Sequence, residues 1–268
     1  GQIWSWTGKS NSSSLAAAFN DGDQRNRIEI QIPQTNLSIE KWDAMTGQRT
    51  KWLWYKEEDE STSVKVDLEP GEIMCMVFDG NKEENETMHL ESSPLKVLDA
   101  SSKGGMFVIK IEGDQPGEFE IALSSTHKQN LVVPVMPEKI RLKNGWDFMT
   151  PSMKKSTGIS VMQGWESQGF DDYSGEGIYS IQFDLETSAP EWREWDWKIV
   201  FPKIVSSAEI ILNEQSLGFL SWAPHERLLP NDLLKAKSNQ LVVKIFNTGG
   251  NYYYAGSPYA VKKFPSGI

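Results

Sequence analysis

Along this chain apolar and polar residues trade places at every second position. Arg27-Ile28-Glu29-Ile30-Gln31-Ile32 sets Ile at alternate places, and Val64, Val66 and Leu68 do the same. The run from Met106 to Ile111 follows Gly104-Gly105, and Phe119, Ile121 and Leu123 alternate after Pro116-Gly117. In the second half the alternating sets are Ile181, Phe183 and Leu185; Trp197, Ile199 and Phe201; Ala208, Ile210 and Leu212; and Leu241, Val243 and Ile245. Successive side chains on a strand point to opposite faces, so this spacing predicts half-buried strands. Gly, Pro, Asn and Asp separate the runs and supply the turn angles. Helical spacing is weak, with room for a turn or two at Ser13 to Phe19 and at Asn231 to Lys235. Short strands of this kind build sandwiches or barrels rather than a doubly wound sheet. The prediction is an all-β protein of two β-sandwich domains, residues 1–137 and 138–268. Val135-Met136-Pro137 closes the first strand set and Gly145-Trp146-Asp147-Phe148 opens the second.

Several turns come in an informative order. Ile210-Ile211-Leu212-Asn213-Glu214-Gln215-Ser216-Leu217-Gly218-Phe219 reads as strand, tight turn and returning strand. A polar segment punctuated by Pro230 and Asn231 leads to Leu233-Leu234, and Asn239 to Asn247 forms a last long strand. This order resembles the sugar-binding, galactose-binding-like jelly roll of family 2-type glycoside hydrolases and of their relatives, the rhamnosidases of family 106. Gly164-Trp165-Glu166 and Tyr173-Ser174-Gly175-Glu176-Gly177-Ile178-Tyr179 are similar to the opening of the same jelly roll. Earlier, Trp42-Asp43-Ala44-Met45-Thr46-Gly47-Gln48 resembles the W-D-x-x-T-G turn of a β-domain beside the barrel in family 106-like enzymes. Leu68-Glu69-Pro70-Gly71-Glu72, followed by Ile73 to Phe78, resembles their L-x-P-G-E turn and strand. The turn chemistry agrees: Asp43 and Thr46 can cap a turn through their side chains, and Gly47 tolerates positive φ. The resemblance spans roughly residues 25–80 and 160–255. It implies a second domain that is a galactose-binding-like jelly roll, a role of binding or bracing rather than cutting, and a catalytic barrel as partner. Such enzymes carry their acid and base on a (β/α) barrel, which this chain has no βα alternation to build. It also implies a bacterial protein of the periplasm or the cell exterior. The opening residues show no signal-peptide pattern, as in a chain whose signal has been removed.

Composition narrows the partners. The 268 residues carry a formal charge of -10 and a pI near 4.9, which repels phosphate backbones and argues against nucleic acid. Neutral glycans are indifferent to that charge. No apolar stretch reaches 18 residues, so no membrane span is expected. The lone Cys75 sits in the apolar run Ile73 to Phe78 and reads as a small buried hydrophobe.

Candidate chemistry is of two kinds. The 11 tryptophans exceed what core packing alone needs, so some are candidates for sugar stacking. Trp192, Trp195 and Trp197 stand among Glu191, Arg193, Glu194 and Asp196, where rings could take the C–H face of a sugar and carboxylates its hydroxyls. On a strand Trp195 and Trp197 would share a face, and Trp197 fits the apolar set with Ile199 and Phe201. Trp222, Tyr252, Tyr253 and Tyr254 form the other candidate cluster, with Asn247 and Asn251 for polar reach. Three consecutive Tyr on a strand cannot all face inward, so at least one is expected to be exposed. The rival kind is catalytic: a compact all-β glycosidase would use paired carboxylates, with Glu194 and Asp196 the best placed. A surface adhesion module binding protein through its aromatic patches is the third alternative. No G-x-S-x-G elbow, Walker loop or dinucleotide fingerprint occurs, and His225 reads as loop structure. No cofactor is implied; a structural calcium ion is admissible, with Asp171, Asp172 and Glu176 as conceivable ligands.

Overall fold

The structure is a computed structural model that describes residues 2–10, 13–43, 46–80, 88–124, 127–152, 155–161, 163–185, 193–253, 255 and 266–268. It is nearly all β, and the sheets are antiparallel, as the alternation requires. The chain divides into two compact units, Gly1–Met136 and Pro137–Ile268.

The first unit contains β1 (Ile3–Ser10), β2 (Ser13–Asn20), β3 (Asn26–Ile32), β4 (Ser38–Trp42), β5 (Arg49–Lys51), β6 (Tyr55–Glu57) and β7 (Thr62–Leu68). It continues with β8 (Ile73–Asp79), β9 (Leu90–Ser92), β10 (Lys96–Lys103), β11 (Met106–Glu112), β12 (Gly117–Leu123) and β13 (Lys128–Val133). They pair as β1-β2-β8-β4-β5, β3-β7-β6, β13-β12-β9 and β10-β11. Ala16 and Ala18 from β2, Met74, Met76 and Phe78 from β8, and Val64, Val66 and Leu68 from β7 meet in one core with Trp52 and Trp54. Each large side chain removed from water there contributes about 1.5–3 kcal/mol.

Residues Ser13 to Phe19 form a strand, not helical turns. The Ala run has high helix propensity, yet pairing on both sides, with β1 and with β8, outweighs it. Two buried polar side chains of this unit, Asn20 and Asp67, are tied into hydrogen-bond networks. Asn20 Nδ2 donates to Gln24 O (2.8 Å) and Leu68 O (3.0 Å), tying the β2–β3 connection to the end of β7. Arg27 reaches Asp67 through two N–H groups, at 2.8 and 3.0 Å, and donates to the carbonyls of Ser93 and Leu95. The turn at Asp43 closes as its chemistry dictates: Thr46 N donates to Asp43 Oδ1 (3.0 Å) and Gly47 takes φ +69°. Ala44 and Met45 of that stretch lie outside the described residues.

The second unit contains β14 (Trp146–Met149), β15 (Lys155–Ile159), β16 (Glu176–Phe183), β17 (Trp197–Val200), β18 (Ser207–Leu212), β19 (Gln215–Leu220), β20 (Glu226–Leu229) and β21 (Asn239–Phe246). One sheet runs β15-β14-β16-β21-β18-β19 and the other pairs β17 with β20. Tyr179, Ile181, Ala208, Ile210, Val243 and Ile245 face the core from the large sheet and pack with Trp146, Phe148, Trp165 and Phe201. Gly177 is where the indole of Trp165 crosses β16, because a Cβ there would lie 2.1 Å from its Cζ3. Asn213 (φ +48°) and Glu214 (φ +72°) form the two-residue turn between β18 and β19, with both residues left-handed as tight hairpins demand. Asn231 to Lys235 makes a hydrogen-bonded turn, with Leu233 N and Leu234 N both donating to Pro230 O, and does not extend into a helix.

Candidate functional site

Strand register decides which loops of the second unit meet. At one end Glu176 lies opposite Phe246, Phe246 opposite Ser207, Ala208 opposite Leu220, and Val200 opposite Glu226. The segments 173–175, 201–206, 221–225 and 247–253 therefore emerge together. At the other end Phe183 lies opposite Asn239, Leu212 opposite Gln215 and Leu241, and Trp197 opposite Leu229. Segments 184–185, 193–196, 213–214 and 230–238 gather there. The two predicted aromatic clusters thus sit at opposite ends of this unit. Trp222, Tyr252 and Tyr253 share the first end; Glu194, Trp195 and Asp196 occupy the second. Trp192 and Tyr254 lie outside the described residues, as does Glu191.

At the first end, Tyr252 and Tyr253 belong to one helical turn, α1 (Gly250–Tyr253), not to a strand. Gly249 and Gly250 break the extended run after β21, and Tyr253 N donates to Gly249 O (3.0 Å). The turn is fixed from outside as well: Tyr252 N donates to Ser174 Oγ (3.1 Å), and Asn247 N to Gly175 O (3.0 Å). Asn251 is buried and serves the fold, whereas Tyr252 and Tyr253 are 68% and 80% exposed. Their rings meet edge to face, centroids 5.7 Å apart, and the Tyr253 ring lies against Gly249. Trp222 is 52% exposed, in the loop that carries the cis Ala223–Pro224 bond. Asn247 Nδ2 is a buried donor without a hydrogen-bond acceptor among the described residues. Burial holds the His225 imidazole below its ordinary pKa, so the neutral ring is favoured. Exposed aromatic rings at one end of the unit are chemically a platform for C–H groups.

Phe219 and Phe246 add a ring pair near this end, centroids 6.1 Å apart, on the face of the large sheet turned away from the core. Sequence reasoning missed them. The available signal was that each stands out of phase with its strand's buried set, Phe219 beside Leu220 and Phe246 beside Ile245.

The second end is different in kind. Glu194 and Asp196 are exposed and Trp195 is half-buried. The strand begins only at Trp197, so Trp195 does not share a strand face with it; Trp197 packs on Leu185, Leu212 and Leu234. Asn231 Nδ2 donates to Arg193 O (3.2 Å) and anchors the segment. Carboxylates this open lack the apolar surroundings that the glycosidase alternative asks of them. Among the described residues no three His, Cys, Asp or Glu side chains gather as metal ligands, those of Asp171, Asp172 and Glu176 included. Among the described residues no helix is long and apolar enough to cross a membrane.

The fold and this end define a two-unit, all-β chain whose second unit displays aromatic rings from loops. No protein-family model matches the chain, and no curated protein matches it. Among solved structures, a rhamnosidase from Novosphingobium sp. PP1Y is similar over 100% of this chain, at 14% identity and a TM-score of 0.59. The chain spans 23% of that rhamnosidase's length. Two structures of a lectin from Pleurotus ostreatus, one without ligand and one with GalNAc, align over 91% of this chain at 9% and 12% identity. They cover 66% and 73% of the lectin chains, and their TM-scores of 0.22 and 0.23 are too low to indicate shared architecture.

Proposed function

We propose that this chain is a non-catalytic region of a glycoside hydrolase system, in which the second unit, a galactose-binding-like jelly roll, binds carbohydrate or braces a catalytic barrel. The observation that carries the reading is the end formed by Trp222, Tyr252 and Tyr253, three large rings more than half exposed on hydrogen-bonded loops. Exposed rings held by the fold stack on a sugar face at low entropic cost. The similarity to a rhamnosidase over a fraction of its length supports the accessory role. On this reading the protein works in the periplasm or outside a bacterial cell.

Calorimetric titration of the full chain with neutral oligosaccharides tests it. Weak binding that is reduced by Trp222→Ala together with Tyr252→Ala is the expected result. Binding unchanged in that variant would remove the aromatic end as a site. Turnover of chromogenic glycosides, abolished by Glu194→Gln or Asp196→Asn, would replace the reading with the catalytic one.

A further inference from the structure

The five-stranded sheet of the first unit has a second face, turned away from the core. Register sets Trp6 opposite Ala17, Ala17 opposite Cys75, Cys75 opposite Trp42, and Trp42 opposite Arg49. Two tryptophans therefore stand three strand steps apart, about 14 Å, with only Ala and Cys between them. The row beside this one carries Trp4, Phe19 and Ile73; the row on its other side carries Leu15 and the buried Val77. Small residues in the middle and rings on both flanks make a shallow apolar basin.

The rings are set in place before any ligand arrives. The Trp6 indole lies down along its own strand over Gly8: a Cβ at Gly8 would come within 2.6 Å of Cη2 and 3.1 Å of Cζ2. One ring face thus rests on the sheet, and Trp6 remains 58% exposed. Trp4, 55% exposed, donates from Nε1 to Asp21 Oδ2 (3.2 Å). Arg49 covers the Trp42 ring, 4.1 Å from its centroid, and pairs with Glu40 at 3.7 Å. Asp21 is engaged by an indole N–H and Arg49 by Glu40, which favours an uncharged occupant.

We propose that this basin is a saccharide-binding platform for neutral pyranose chains, separate from the aromatic end of the second unit. The pyranose C–H face stacks on Trp4 and Trp6, and ring hydroxyls reach Asp21 and Arg49. The dimensions choose this occupant over a protein. Three strand steps by four residue steps give a patch of about 14 by 13 Å. That is far below the roughly 800 Å² per partner of a stable protein interface.

The test is affinity electrophoresis of the full chain in gels containing β-glucan, galactomannan or arabinoxylan, with polygalacturonate as the charged control. The expected result is retardation in at least one neutral gel, weakened about tenfold by Trp6→Ala and further by Trp4→Ala with Trp6→Ala. Gly8→Val keeps both indoles but lifts Trp6 off the strand, and should weaken retardation too. Circular dichroism confirms that each variant is folded. Retardation by no neutral polymer, or unchanged retardation of the double variant, overturns the proposal. Loss on Trp222→Ala alone overturns it while supporting the second-unit site. Self-association in sedimentation that the double variant abolishes would make the basin a dimer surface, and the proposal would fall.

Discussion

Asn213 holds the first claim on the stability of the second unit, and its replacement by Ala separates two effects. Its Nδ2 donates to Leu233 O (2.7 Å) and Asn239 Oδ1 (3.1 Å), and its Oδ1 accepts from Gln240 N (2.9 Å). One side chain therefore ties the β18–β19 turn to the 233 turn and to the start of β21. Asn239 is fully buried and also accepts from Lys235 N (2.9 Å), so the network has little water to fall back on. Three bonds at about 0.5–1.5 kcal/mol each amount to roughly 2–3 kcal/mol. The φ of +48° adds about 1 kcal/mol for Ala, which lacks the local bonding that lets Asn occupy that region. Asn213→Ala should therefore cost roughly 3–4 kcal/mol and Asn213→Gly about 1 kcal/mol less, because Gly is at ease with positive φ. In urea this is a midpoint shift of roughly 1–2 M for the transition of this unit. Equal midpoints for the Ala and Gly variants would refute the backbone share. An Ala variant within about 0.5 kcal/mol of the parent would refute the network.

Gly177→Ala puts a methyl against the buried Trp165 and Phe148 rings, and overpacking of this kind costs roughly 3 kcal/mol, read as a lowered thermal midpoint. Asp67→Asn strips the carboxylate from Arg27 at a site where Asp67 is 1% exposed; Arg27 keeps 36% exposure, so about 3 kcal/mol is expected, measured by chemical denaturation. His225 has a depressed pKa through burial, so below about pH 6.5 the unfolded chain binds more protons than the folded one, and stability falls as pH drops through that window. His225→Gln should flatten urea midpoints between about pH 7 and pH 5, and a slope like the parent's would contradict the assignment.

The strand content of this chain was legible because alternation is a local signal. Ile28, Ile30 and Ile32 face Val66, Val64 and Thr62 across β3 and β7, and the period-two pattern of both strands agrees with that pairing. Turn chemistry was legible for the same reason: Asp43 and Gly47 act within a few residues of themselves, and Asn213 takes the left-handed turn position, whereas the reach of its side chain to Leu233 and Asn239 is tertiary. The errors fell where tertiary pairing overrides a local preference. Ala16-Ala17-Ala18 looks helical until β1 and β8 flank it. Tyr252 and Tyr253 look extended until Gly249, Gly250 and the Ser174 hydroxyl turn the chain.

What no local pattern carries is which rings share a neighbourhood. Trp195 and Trp222 both flank the β17–β20 pair, and as sequence features they are equivalent candidates. The antiparallel order sends them apart, since Trp197 faces Leu229 at one end and Val200 faces Glu226 at the other. The same logic, run across β1, β2, β8 and β4, brings Trp6 and Trp42 onto one face although 35 positions separate them. Trp4 and Trp6 drew no notice in the sequence, and their meaning depends on Ala17 and Cys75 being the two residues between Trp6 and Trp42. Had either been large, the basin would be filled and the exposed rings would stand alone. A ligand surface on a sheet is thus specified by the residues that stay small as much as by the rings. Filling the floor with Ala17→Phe, a residue whose side chain points away from the core, should abolish saccharide retardation while leaving Trp4 and Trp6 in place. Retardation that survives this change would mean that the rings act singly and the basin does not exist as a unit.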